Sequence, residues 1–133
     1  MSACFEFRCP ACGFEIEAWD SGNPYIIDDD GLRHFFYHPA ESDVIEPVVA
    51  RSRWAAGKSA LEIEAELPNH VGCMEDVICL ECAATAQVDY DECNRRCATC
   101  GSETHRILEL GGKRCPKCKQ GRFPDEPTMG AIS

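Results

Sequence analysis

The sequence predicts a small α+β protein: mostly short strands, one helical insertion, and bound metal holding the fold together. Three observations lead there. The chain has 133 residues and 11 cysteines, and eight of the cysteines fall into four identical C-x-x-C pairs. Apolar residues alternate with polar ones in several short runs, the pattern of half-buried strands. Helical spacing of apolar residues is confined to one region, about 44–67. With 27% charged and 44% apolar residues, the composition is that of an ordinary globular chain.

The four pairs are Cys9/Cys12, Cys79/Cys82, Cys97/Cys100 and Cys115/Cys118. Disulfide frameworks belong to small exported chains, and Met1-Ser2-Ala3-Cys4-Phe5 lacks the basic start and apolar stretch of an export signal. A redox C-x-x-C normally occurs once, opening a helix that lowers a thiol pKa. Metal ligation fits four copies. Two residues between cysteines let one tight turn aim both sulfurs at a single ion, and two such turns complete a tetrahedral S₄ site. Eight sulfurs therefore supply two closed sites, and two Zn²⁺ ions are expected.

Spacing does not choose the partners, because 14 residues separate Cys82 from Cys97 and 14 separate Cys100 from Cys115. The intervening sequence favours one arrangement. Thr104 to Leu110 reads as a strand and Gly111-Gly112 as a tight turn, so knuckle, strand, turn and knuckle make one unit over 97–118. The expectation is Cys97/Cys100 with Cys115/Cys118 and Cys9/Cys12 with Cys79/Cys82, the second pair closing a long loop at modest entropic cost. One rival joins Cys79/Cys82 to Cys97/Cys100 and Cys9/Cys12 to Cys115/Cys118. Another builds local sites from Cys9, Cys12, His34 and His38 and from His70, Cys73, Cys79 and Cys82, giving three ions. It suffers because His34 and His38 on one strand would stand about 13 Å apart. Cys4, Cys73 and Cys93 remain as small apolar residues.

Cys9-Pro10-Ala11-Cys12-Gly13 and Cys97-Ala98-Thr99-Cys100-Gly101 place glycine just after the second cysteine, where such a turn commonly needs positive φ. Cys115-Pro116-Lys117-Cys118-Lys119-Gln120-Gly121 has its glycine three residues on, and Cys79-Leu80-Glu81-Cys82-Ala83-Ala84 has none. These segments resemble the knuckles of zinc-ribbon (rubredoxin-type) proteins, closely over 97–121. The resemblance implies a β-rich, zinc-ribbon-like N-terminal part followed by a C-terminal zinc ribbon, and contact with either protein or nucleic acid.

Along the chain, Phe5 and Phe7 enter the first knuckle and Phe14, Ile16 and Ala18 leave it in alternation. Ser21 to Pro24 is a turn. Tyr25-Ile26-Ile27 and Leu32 to Tyr37 form a hairpin around Asp28-Asp29-Asp30-Gly31, an acidic turn too short for a calcium loop. Val44, Val48, Val49, Ala55 and Ala56 suggest one short helix; Ser59 with Glu62 is a capping box for a second, over Leu61 to Leu67. No basic third helix follows to read a DNA groove, since Val71 to Val77 carries Glu75 and Asp76. The expected domains are 1–92, with the insertion; 93–123, the ribbon; and a frayed tail, 124–133.

Net charge is −10, yet between Cys93 and Phe123 eight bases face two acids, a local +6 that leaves −16 elsewhere. Overall acidity argues against bulk nucleic-acid or membrane binding, while Arg106, Lys113, Arg114, Lys117, Lys119 and Arg122 keep a local nucleic-acid contact open. No histidine is followed two residues later by the glutamate of a zinc deaminase, no H-E-x-x-H occurs, and Ser52 replaces the first glycine of a phosphate loop ending at Gly57-Lys58-Ser59. All-cysteine sites leave no open position for catalysis. The expectation is a cytoplasmic, non-catalytic zinc protein that binds a protein partner. Nucleic-acid binding through the basic ribbon, or electron transfer by iron in a rubredoxin-like site, are the alternatives.

Overall fold

The computed structural model describes residues 2–132. The chain divides into two compact units, Met1–Gly22 with Glu75–Ser133, and Asn23–Met74. This differs from the expected boundaries at 92/93 and 123/124. One hydrophobic cluster crosses the first of these, since Phe7, Cys9, Ala18 and Ile78 pack with Ile107, Leu110, Cys115 and Phe123, and antiparallel pairing of residues 128–132 with residues 3–6 crosses the second.

The first unit is built from two strand–knuckle–strand repeats. Strands β1 (Ala3–Arg8) and β2 (Glu15–Trp19) pair antiparallel, from Cys4 opposite Trp19 to Arg8 opposite Glu15, and the first knuckle joins them. The alternation of Phe5 and Phe7 turns Phe7 into the core, where its ring meets Phe123 edge-on at 6.0 Å. The expected exit strand is also present: Ala18 is buried, and Phe14 and Ile16 pack on the cluster. The same plan recurs around the second knuckle, with the last residues of β5 (Val71–Cys79) entering and β6 (Thr85–Asp89) leaving. Both exit strands start six residues after the first cysteine of their knuckle.

The expected strand 104–110 is shorter than its apolar content suggested. Strand β7 covers Thr104–Arg106, pairing Thr104 with Cys79 and Arg106 with Val77, and a 3-10 turn follows at Ile107–Glu109. Ile107 and Leu110, three apart, are both buried, a spacing that suits a 3-10 turn and not a strand. The expected frayed tail is also corrected, because Thr128–Ile132 forms strand β8, which lies antiparallel on β1 and completes the order β2-β1-β8.

The second unit holds the expected hairpin and helices. Strand β3 (Asn23–Ile27) pairs with β4 (Arg33–Phe35) and with Val71–Met74 of β5. Tyr25 lies opposite Gly72, where any side chain would run into the tyrosine ring. Helix α1 (Glu41–Arg51) starts earlier than expected and buries Val48; a 3-10 turn at Arg53–Ala55 buries Ala55. Helix α2 (Ala60–Glu66) carries the expected capping box: the Ser59 hydroxyl accepts from the Glu62 amide, and the Glu62 carboxylate accepts from the Ser59 amide. Among the described residues, no helix is long and apolar enough to cross a membrane.

Candidate metal centres

The eight predicted cysteines gather into two sets of four: Cys9, Cys12, Cys115 and Cys118 in one, and Cys79, Cys82, Cys97 and Cys100 in the other, with all sulfurs of a set within 4.8 Å of one another. The expected pairing of the last two knuckles is therefore overturned, and the first rival is the observed one. The sites are nested in sequence, with the outermost knuckles forming site A and the inner two forming site B. The physical cause is that 104–110 does not run back as a ribbon strand. Its first residues pair with β5 and place Cys97/Cys100 against Cys79/Cys82.

The geometry fits an ion and not a disulfide. Cys9 Sγ lies 3.8 Å from Cys118 Sγ, and Cys12 Sγ 3.7 Å from Cys115 Sγ. In site B the corresponding separations, Cys79 to Cys100 and Cys82 to Cys97, are both 3.5 Å. A tetrahedron with metal–sulfur bonds of about 2.3 Å has sulfur–sulfur edges of about 3.8 Å, whereas a disulfide needs about 2.05 Å. All 11 cysteines are unbridged.

All four knuckles use one backbone turn. The amide after the second cysteine donates to the carbonyl of the first: Gly13 to Cys9 (2.8 Å), Ala83 to Cys79 (2.8 Å), Gly101 to Cys97 (2.9 Å) and Lys119 to Cys115 (3.1 Å). The donor residue is left-handed in each, with φ of 81°, 65°, 78° and 61°. Glycine does this freely twice; Ala83 and Lys119 do it against their Cβ atoms, so the missing glycines leave the turn intact. The two second knuckles are each closed by a single antiparallel bridge, Arg96 to Glu103 and Arg114 to Arg122.

Amides aimed at sulfur prepare the thiolates. Those of Cys100 and Thr99 lower Cys97 to about 6, and those of Gly121 and Gln120 lower Cys118 to about 6. The Ser102 hydroxyl and amide lower Cys100. At Cys12 and Cys82 the amides of Phe14 and Ala84 pull downward, but desolvation and the facing thiols outweigh them and push these groups up to about 11 and about 12. Gly121 also shapes site A: a Cβ there would stand 2.7 Å from Cys9 Sγ and 2.7 Å from the Ala11 Cβ.

The remaining candidates lie elsewhere. His34 bonds Asp28 (2.7 Å), His38 bonds Glu41 (2.8 Å), and His70 stacks on Trp54 at 4.1 Å. Among the described residues, neither set of metal-ligand geometry includes a histidine, which removes the three-ion rival. Cys4 is buried beside Glu17, Cys93 is exposed, and neither these nor Cys73 joins a set.

Several bases of the predicted patch are occupied within the first unit. Arg106 pairs with buried Glu75, which Arg95 also engages, and lies 5.4 Å above the Tyr90 ring. Arg122 donates to the Gly112 carbonyl, Lys117 sits 5.8 Å over Phe14, and Lys119 donates to the carbonyls of Leu80 and Glu81. Arg114 lines an open cavity of about 610 Å³ with Cys82, Cys100 and His105, and Lys113 is exposed. Nothing in the sequence around Glu75, which has Asp76 beside it, signalled its burial. Comparison with protein-family models, curated proteins and solved structures finds no match to this chain.

Proposed function

We propose that this protein is a non-catalytic, zinc-stapled interaction module, in which two structural Cys₄ sites hold a small frame that presents its surface to a protein partner. The closed, all-sulfur make-up of both sites carries the reading: four ligands from two knuckles leave no open position for water or substrate. Zinc is the ion best suited to a tetrahedral thiolate cage with a structural duty. Binding of such an ion contributes on the order of 10 kcal/mol or more to folding in small metal domains. The frame needs it, because a chain this size with short strands buries little apolar surface.

Element analysis of the purified protein tests this directly. Two zinc ions per chain, colourless protein and loss of strand signal on chelation are expected. Iron, with strong visible absorption, would move the reading to electron transfer. Nucleic-acid binding is the weaker alternative, since Arg106, Lys119 and Arg122 already have internal partners. Oligonucleotide binding with a steep salt dependence would favour it, and no binding at low salt would remove it.

A further inference from the structure

We propose that Lys119 couples the two metal sites, so that filling one favours filling the other. The inference rests on the reading of both sites as metal cages. Lys119 directly follows Cys118, a ligand of site A, and is held left-handed by the site A turn, with φ of 61°. Its ammonium reaches across to the turn of site B. It donates to the carbonyl of Leu80 at 3.0 Å and to that of Glu81, with the Glu81 carboxylate 3.9 Å away. Leu80 and Glu81 are the two residues between Cys79 and Cys82. One side chain thus ties the turn that aims Cys118 to the turn that aims two ligands of site B.

The energetic consequence follows from what each turn needs. A knuckle without its ion has little to fix its backbone, and ordering it costs conformational entropy. Capture of an ion by site A fixes Lys119, and the ammonium then clamps the 80–81 carbonyls in the conformation that site B requires. The second ion therefore meets a partly ordered site. By linkage the effect is reciprocal: an ion in site B fixes the carbonyls that anchor Lys119 and eases filling of site A. A lysine here adopts a backbone conformation that glycine would take more easily, and the clamp gives that conformation a purpose.

Native mass spectrometry of the full chain, loaded with one equivalent of Zn²⁺, counts molecules carrying zero, one and two ions. The squared one-ion population divided by the product of the zero- and two-ion populations falls as coupling grows. Lys119→Met should raise this quotient at least about fivefold, the low end of usual coupling. Lys119→Gly, which keeps the left-handed turn and removes the ammonium, should do the same. An unchanged quotient in Lys119→Met overturns the proposal, and so does a change in Lys119→Met that Lys119→Gly does not share, because the cause would then be the turn and not the clamp. Failure of the wild-type chain to take up any ion would instead sink the reading of the sites as metal cages.

Discussion

The residue after the second cysteine of each knuckle carries a cost that differs among the four. Gly13 and Gly101 adopt positive φ without strain, whereas Ala83, at 65°, sets its Cβ against the backbone. Ala83→Gly should therefore stabilise the loaded protein, by up to about 1 kcal/mol once the greater freedom of glycine in the unfolded chain is counted; denaturant unfolding of the two proteins measures it. Gly121 is the opposite case. Its added methyl would meet Cys9 Sγ and the Ala11 Cβ at 2.7 Å, so Gly121→Ala should loosen site A directly, at a cost of about 1–3 kcal/mol, and reach site B only through the smaller coupling between the sites. A chelator should then strip one ion much faster than the other. The ligands themselves were legible residue by residue, because C-x-x-C is a local instruction that needs no knowledge of the rest of the fold. The need for an empty position at Gly121 was not, since it arises from a knuckle more than 100 residues away in sequence.

Elements built from local signals were also readable. The Asp-Gly turn, the Ser59 capping box and the alternation around the first knuckle all led to the hairpin, helix and strands that form. The hairpin turn owes its order to Asp28, whose carboxylate accepts the amides of Asp30 and Leu32 at 2.9 Å and bonds His34. The His34 bond, helped by those amides, holds the Asp28 carboxyl below its ordinary 3.8. A lowered native value contributes stability that is present above 3.8 and is lost as pH falls through the native value. Asp28→Asn should accordingly lower the thermal midpoint at pH 7, and the gap to the wild-type protein should close below pH 3.8. Elements set by long-range pairing read less well. The run 104–110 looked like one strand because it is apolar, but Ile107 and Leu110 reach the core by a turn, and β8 forms only because β1 offers it an open edge.

At the scale of the molecule, the partners of the knuckles are the feature the sequence concealed. Equal 14-residue gaps made two pairings equivalent by spacing, and the deciding contact, β7 on β5, joins segments whose pairing no local pattern encodes. The repeated strand–knuckle–strand plan around Cys9 and Cys79 was the available clue. Two equivalent hairpins each call for one simpler closing knuckle, and Cys97/Cys100 and Cys115/Cys118 are those closers. The nested arrangement makes site A a staple across distant chain, Cys9 to Cys118, 109 residues apart, while site B closes a short stretch, Cys79 to Cys100, 21 residues apart.

The ion count of a chain with Cys97, Cys100, Cys115 and Cys118 all changed to serine tests that arrangement most directly. Each cage loses two of its four sulfurs, so the account predicts no tightly held ion, while the chain with Cys9, Cys12, Cys115 and Cys118 changed to serine keeps one. One ion retained by the first variant would mean that Cys9, Cys12, Cys79 and Cys82 form a cage of their own, and would contradict the nested pairing.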